Sequence, residues 1–529
     1  MTSNTHETNS LMKITQKALL AGVLALGACT ETAVPDYNNP AESNFTELRT
    51  RAQLESQAVG LADADRRSHD FQILLDETMG RDFYRFDGAE PRYITQTLRG
   101  NLPSNTNFIG GGLFAGPYRT IRSAEFFIQA VKGAPDSLPE SLGGAYSKLG
   151  DQTKSALVGY AQTWKALSYI RLIEQRDTIG IALFAGKDSL DPIRCKPNVL
   201  AYISSLLDSA ATSLAAGDTA VFPFRLPSGF NGFNDAKNFR KFAEALKARN
   251  EVYRAFQSYA TAGTGGAIVR TRASIDQNAL NAAQAALNAS FMDLSQNVAA
   301  NGGTGVYHTY AAGGDYLNPN FDPSVYRINP RVVTESEGIT KRLVGTDTIY
   351  SSPDTRLTRK VELNASDNCL SRSSARSCFL DKTNATNITP LPIIRNDELI
   401  LLQAEVFWGK GQFAQALAIV NKLRSDALGT SYTPLALPFA TEPQQLDLLR
   451  EILRQKRYQL LLESPSRWID ARMFGLLGEL GEERRQAGDD GIFGTADDVP
   501  GFTADKVPVF PIPLAERLAR GGNLTKTCS

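Results

Sequence analysis

The chain has 529 residues, and its 56 basic and 56 acidic side chains cancel, which excludes the strong overall field that would recruit nucleic acid or an anionic membrane surface. Hydrophobic residues at 42% and charged residues at 21% are ordinary for a folded soluble chain. The length exceeds what one compact core organises, so the chain is expected to be multidomain or an extended helical array.

Taken in chain order, the first feature is an export signal. Lys13 and Lys17 precede an uncharged run from Ala18 to Ala28. At about 1.5 Å per residue this run covers roughly half of a ~30 Å hydrocarbon core, too little for a membrane span. Leu26-Gly27-Ala28-Cys29 resembles the bacterial lipobox, in which the cysteine is acylated and becomes the first mature residue. Residues 1–28 are therefore read as a signal peptide with Met12 as the true start, and Cys29 as the lipidation site. "TETAVPDYNNPAESNF" comes next as an extended tether over 29–45, because Pro35, Asn38, Asn39 and Pro40 oppose regular structure. Residues 46–529 form the folded domain.

Within that domain the dominant pattern is paired helices. Periodicity predicts helices over Tyr118 to Val131, Ser155 to Gln175, Asn198 to Leu214, Phe239 to Tyr259 and Asn278 to Ser290. Between about 299 and 392 the pattern gives way to Gly, Asn, Pro and aromatics, with "TKRLVGTDTIY" hinting at a short strand. Regular helices resume at Asn396, read as an N-cap with Asp397 and Glu398 in the first turn, and Leu399, Leu402 and Val406 share a face. Gly409-Lys410-Gly411 breaks this helix, and Phe413, Ala416, Leu417 and Val420 begin another. Gly-x-Phe-x-x-Ala-Leu resembles the turn and second helix of a tetratricopeptide repeat. The fold class read from this is mainly α: a tetratricopeptide-like helical-pair scaffold with a large irregular, loop-rich insertion and minor β.

Candidate binding residues are aromatics on irregular segments, where rings offer flat apolar faces with polar edges. Phe222, Phe224, Phe230 and Phe233 lack hydroxyls and are assigned to the core. Tyr307, Tyr310, Tyr316 and Tyr326, set among Gly302, Gly303, Gly313, Gly314 and Asp315, are the favoured ligand cluster, with Tyr84 and Tyr93 as a second. The opposing reading is that these rings plug the insertion onto the helices. Of the remaining cysteines, Cys369 and Cys378 bracket the polar loop LSRSSARS and are read as a disulfide, with Cys195 and Cys528 left over. Asp489, Asp490, Asp497 and Asp498 in "GDDGIFGTADD" could offer oxygens to a structural Ca²⁺, but the twelve-residue loop pattern with its terminal Glu is missing and a solvated turn is preferred. No other cofactor is expected. Glu398, Glu405, Arg467, Asp470 and Arg472 read as salt-bridged helix packing rather than an acid/base set, and Trp408 and Trp468 as packing residues.

Several of these segments together resemble one family. Arg395 to Glu405, followed by Ala416-Leu417 and Asn421-x-x-Arg424, is similar to the Arg-x-x-Glu, apolar run, Ala-Glu segment of the SusD/RagB-like outer-membrane lipoproteins. "LRQKRYQLLLESPSRWIDARMFG" resembles the next block of that family through Arg457, Leu460, Glu463, Arg467, Trp468, Asp470 and Arg472, and "VFPIPLAE" resembles its late Pro-Ile-Pro segment. Asp354-x-Arg356 agrees in type and order, whereas Lys456 stands where the family usually has Glu. The resemblance implies a surface-facing lipoprotein, held to the outer membrane by its lipid alone, that captures an oligosaccharide or peptide for a SusC-like TonB-dependent transporter barrel without making or breaking a bond. The competing classes are a surface-anchored glycan hydrolase, which needs two carboxylates about 5–9.5 Å apart, and a structural helical-repeat adaptor. No Gly-x-Ser-x-Gly, His-Glu-x-x-His or phosphate-cradling loop supports a catalytic scaffold.

Overall fold

The computed structural model describes residues 43–85, 90–98, 102, 111–140, 146–184, 190–297, 303–311, 326–344, 347–363, 379–383, 386, 388–480, 509–521 and 528. Cys29, Asp315, Tyr316, Cys369, Cys378, Asp489, Asp490, Asp497 and Asp498 lie outside the described residues. The chain up to Thr46 is a unit apart, in which a four-residue helix, Ser43–Thr46, is described, so the end of the expected tether is helical. The larger unit runs from Glu47 to Ser529 and holds the helical scaffold.

Helix α1 (Arg51–Met79) starts where the Thr50 hydroxyl accepts the Gln53 N–H at 3.2 Å. Sequence periodicity does not mark it. Its second half is buried around the circumference, with Asp65, His69, Asp70, Gln72, Asp76 and Glu77 as deeply covered as Ile73, Leu74 and Leu75, so no polar face separates from an apolar one.

Helices α2 (Gly112–Gly133), α3 (Asp151–Arg176), α4 (Lys196–Gly217), α5 (Ala236–Phe256) and α6 (Gln277–Ala289) succeed it, each packed on the next. They enclose the first three predicted spans, while α5 ends at Phe256, short of Tyr259, and α6 ends at Ala289, one residue short of Ser290. Asp235 and Asp276 cap α5 and α6 by accepting N–H groups of Asn238 and of Asn278 and Ala279. The close approach of α3 to α4 depends on Gly159, where a Cβ would stand 2.6 Å from Leu214 Cγ and 2.9 Å from the Ala210 carbonyl oxygen. Phe222, Phe224, Phe230 and Phe233 are buried against this layer, with Tyr160 and Trp164 among the rings they meet.

The later helices are α7 (Asn396–Gly409), α8 (Phe413–Leu428), α9 (Glu442–Leu460) and α10 (Ser466–Met473). Helix α7 touches α8 and α9 on one side and α5 and α6 on the other, which is why it is buried almost throughout. Gly411, at φ +75°, turns the chain between α7 and α8. Asn396 does not cap α7: Arg395 holds that position, and the Asn396 amide instead accepts the Asp293 N–H at 2.7 Å and donates to the carbonyl oxygen of Asp293 at 2.9 Å. Trp408 and Trp468 are both buried, the first donating to the Gln445 carbonyl at 2.6 Å.

Buried ions tie distant segments together. Lys456 lies between Glu405 at 2.8 Å and Asp470 at 3.0 Å, Arg249 holds Glu398 at 2.6 Å, Arg472 holds Asp177 at 2.9 Å, and Arg457 with Arg467 meets Asp82 beyond the end of α1. Glu398, Glu405, Arg467, Asp470 and Arg472 thus pair as buried packing ions. A disulfide joins Cys195, at the N-cap of α4, to Cys528, 333 residues on.

β-Structure is minor and comes as two-stranded antiparallel ladders. "TKRLVGTDTIY" forms most of a hairpin, Thr340–Val344 with Asp347–Ser351. Phe83–Arg85 pairs with Tyr326–Ile328, and Gly305–His308 pairs with Leu391–Arg395, the strand that feeds directly into α7. These two ladders fasten the insertion to the helical scaffold.

Candidate functional site

The strand Gly305–His308 alternates as a half-buried strand should, with Val306 and His308 inward and Tyr307 facing out. Inward, His308 Nε2 donates to Asp65 Oδ2 at 2.7 Å, and Arg171 reaches the same carboxylate from α3. Burial alone would raise the Asp65 carboxyl, but Arg171 and His308 outweigh it and hold it well below the usual range. Beside it, His69 donates to the Pro392 carbonyl at 2.7 Å, and burial keeps both imidazoles below their ordinary values. Each strand of the ladder is therefore pinned to α1 from behind.

Outward, the ladder forms one wall of a cleft of about 570 Å³. Tyr307 and Thr309 stand on this wall. The turn Ser228–Phe230 closes one side, pressed so tightly on the strand that a Cβ at Gly229 would lie 2.1 Å from the Tyr307 carbonyl oxygen. The Tyr307 hydroxyl donates to the Gly303 carbonyl at 2.6 Å, and burial pushes its pKa up to about 12, so it stays a neutral phenol.

The opposite wall is cationic. Asp354 caps the short helix Thr355–Lys360 and grips Arg356, which brings Arg359 and Lys360 to the cleft. The ladder Val361–Glu362 with Leu380–Asp381 continues into a bond from the Lys382 N–H to the Lys360 carbonyl at 2.8 Å, setting Lys382 beside them. Arg395 and Glu463 form the floor, 2.8 Å apart, and Lys360 Nζ meets Glu463 at 2.9 Å. Burial, with Arg395 and Arg359 nearby, lowers the Lys360 ammonium to about 8. Burial would raise Glu463, but Arg395 and Lys360 hold it below its ordinary value, so it is an ionised anchor with no proton to give.

The predicted residues divide. Tyr307 lines the cleft, whereas Tyr310 is buried near the Arg66 guanidinium, 5.8 Å from its ring centre. Tyr326 is 2% exposed and stacks on Phe83 at 5.3 Å; the Arg85 guanidinium lies 5.2 Å from its ring and 4.6 Å from that of Tyr93, which is also buried. These rings pack the insertion against the scaffold, the opposing reading of the aromatic cluster. Tyr84 stands opposite Arg327 in its ladder. Sequence reasoning missed Arg359, Lys360, Lys382 and the Ser228–Phe230 turn as partners of Tyr307.

A second cleft, of about 440 Å³ between α9 and α10, has Leu453, Leu476 and Leu480 in its lining. Its arginines serve packing: Arg450 holds Glu479, and Arg457 holds Glu335 and Asp82. Among the described residues no group of three or more His, Cys, Asp or Glu is placed to hold a metal ion.

For an architecture of this kind, comparison with solved structures is decisive for the fold. A SusD superfamily protein from Bacteroides fragilis aligns over 91% of this chain and 99% of its own, with a TM-score of 0.57 at 16% identity. The chain has the SusD-like fold. Surface glycan-binding protein A from Bacteroides fluxus matches over 90% of this chain and 98% of its own, at TM-score 0.59 and 15% identity. A SusD-like carbohydrate-binding protein from Bacteroides fragilis matches over 90% and 99%, at TM-score 0.59 and 13% identity. No family model and no curated protein sequence matches the chain.

Proposed function

We propose that this SusD-like protein is a surface-anchored lipoprotein that captures an oligosaccharide in the Tyr307 cleft and delivers it to a TonB-dependent barrel. The observation that carries the reading is the cleft itself: a roomy concave site whose aromatic wall is pinned to the longest described helix and whose other walls are irregular segments. The names of two structural neighbours, a surface glycan-binding protein and a carbohydrate-binding protein, favour sugar over peptide. Glu463, locked between two cations, suits anchoring a ligand rather than donating a proton to it. The Cys195–Cys528 bridge suits an exported protein, and Cys29 supplies the anchor.

The test is titration calorimetry of the mature chain against a panel of plant and host polysaccharides, repeated with Tyr307→Ala. Binding by at least one glycan, weakened about tenfold (about 1.4 kcal/mol) in the variant with the helical circular dichroism unchanged, is expected. Retention of full affinity in Tyr307→Ala would move the site, and no binding across the panel would refute glycan capture. Delivery is tested by purification from native membranes, where a co-eluting barrel is expected.

A further inference from the structure

Of the three histidines in the sequence, His6 lies in the segment read as signal peptide, so the mature chain carries two, His69 and His308. Both stand behind the ladder that forms the aromatic wall of the cleft, one for each strand. His308 shares a strand with Tyr307 and donates to Asp65, while His69 donates from α1 to the Pro392 carbonyl of the paired strand. Their ring centres are 5.3 Å apart, and both side chains are almost wholly buried. From α3, Arg171 reaches the same Asp65 carboxylate and Trp164 stacks on His308. On α1, Arg66 pairs with Asp63 and donates to the Thr309 carbonyl at 3.0 Å, and Asp70 accepts the Phe71 N–H at 2.8 Å. A carbonyl only accepts, so the proton of His69 is on Nε2, and its buried Nδ1 has no hydrogen-bond partner among the described residues. A second proton there would leave an N–H with no acceptor and add a cation beside Arg171, whose carboxylate is already shared with His308.

We propose that His69 and His308 are positioning residues that make closure of the Tyr307 wall depend on pH: neutral imidazoles hold the ladder against α1, and protonation, of His69 above all, releases it. The consequence for capture, retention at neutral pH and release in acid, rests on the reading above; the opening itself does not. Burial holds both imidazoles below the ordinary value of 6.5 while the wall is closed. In an opened ladder they meet water and regain that value, so opening takes up protons and is favoured as pH falls through about 6.5. Full uptake by one imidazole between pH 7.5 and 5.0 multiplies the open population about thirtyfold. His69 carries most of the effect, because a charged His308 keeps Asp65 as its counter-ion at 2.7 Å, whereas a charged His69 meets only a carbonyl.

Hydrogen–deuterium exchange of the mature protein, with no glycan added, reads the ladder directly. After correction for the intrinsic pH dependence of exchange, peptides spanning 305–308 and 391–395 are expected to open at least tenfold more at pH 5.0 than at pH 7.5, while α8 changes less than threefold. His69→Gln keeps an amide donor for the Pro392 carbonyl but cannot titrate, and it should cut the ladder's response to threefold or less. If that variant does not fold, the parent protein labelled in its histidines gives the second reading by magnetic resonance. In the closed form His69 should remain neutral at pH 6.0, where a free imidazole is mostly charged. An equal response of the ladder and α8, a ladder response that His69→Gln preserves, or a His69 that titrates near 6.5 in the closed protein overturns the proposal, and each leaves glycan capture standing. Failure of the polysaccharide panel overturns capture and leaves the proton-linked ladder intact.

Discussion

Lys456→Met removes the cation at the centre of a buried triad. Its ammonium sits 2.8 Å from Glu405 and 3.0 Å from Asp470, and all three side chains are almost wholly covered. Deleting one partner of such a network leaves charge stranded in a poorly polarisable interior, which costs about 3–5 kcal/mol. At roughly 2 cal/mol/K per residue of unfolding entropy, a domain of this size should lose about 3–5 °C in melting temperature. The loss has a pH signature. Burial, with Asp470 and Glu398 nearby, has already raised Glu405 to about 7 against Lys456, so its folded form keeps a proton that the unfolded chain gives up. A carboxyl raised in this way costs stability progressively as pH climbs from its unfolded value near 4.5 through its folded value. Without Lys456 the folded value rises further, and the extra cost accrues above pH 7. The deficit read from thermal unfolding by circular dichroism should therefore be largest at pH 8 and smaller at pH 5.5. Adding Glu405→Gln and Asp470→Asn to the variant should recover more than half of it at pH 8. A deficit below about 1 kcal/mol, or one that is the same at both pH values, would refute the stranded-charge argument.

Gly229→Ala should push the Ser228–Phe230 turn off the Tyr307 carbonyl, costing about 1–3 kcal/mol of stability and weakening ligand binding more than any other small substitution around the cleft; unchanged affinity would show that the turn is not part of the site. Cys29→Ala should shift the protein from the membrane to the soluble fraction, since anchoring grows by about 0.8 kcal/mol per buried methylene; a variant still in the membrane when no barrel is present argues against lipidation. Replacing Cys195 and Cys528 together by Ser should lower stability by about 2–5 kcal/mol, and a melting curve indistinguishable from the parent would show that the bridge constrains nothing. Mass spectrometry of unreduced peptides should find Cys369 joined to Cys378, an outcome that two free thiols would contradict.

The scaffold was legible in sequence wherever burial is one-sided. Helices α4, α5, α6 and α8 show aliphatic residues at 3.6 spacing because their other faces are more exposed, whereas α3 and α7 are buried almost throughout, and Gly409-Lys410-Gly411 marks the end of α7. Helix α1 was not legible, because its buried polar residues meet partners from other segments, Asp65 with Arg171 and His308, His69 with the Pro392 carbonyl and Glu77 with the Leu462 N–H, and no local pattern announces a partner more than 100 residues away. The same limit applied to the cleft. Tyr307 stood out as an aromatic among glycines, but Tyr310 and Tyr326 looked identical in composition and differ only in which side of the chain the scaffold occupies. Arg359 and Lys360 come from a short helix, Lys382 follows a two-residue strand and Arg395 belongs to a motif read as structural, so these cations meet only once three segments are folded together.

The Cys195–Cys528 bridge also constrains how the protein can be made. In chain order the thiols after Cys29 are Cys195, Cys369, Cys378 and Cys528, so a chain oxidised as it emerges from export would meet Cys369 as the first partner for Cys195. The native bond skips both intervening cysteines. Its formation must wait until α4 and the end of the domain are brought together, or must come after reshuffling of an earlier, wrong pair by thiolate attack on it. Efficient production therefore calls for a thiol–disulfide isomerase, or an oxidant slow enough for the helices to assemble first, and a host with rapid oxidation alone is expected to accumulate chains cross-linked between Cys195 and Cys369.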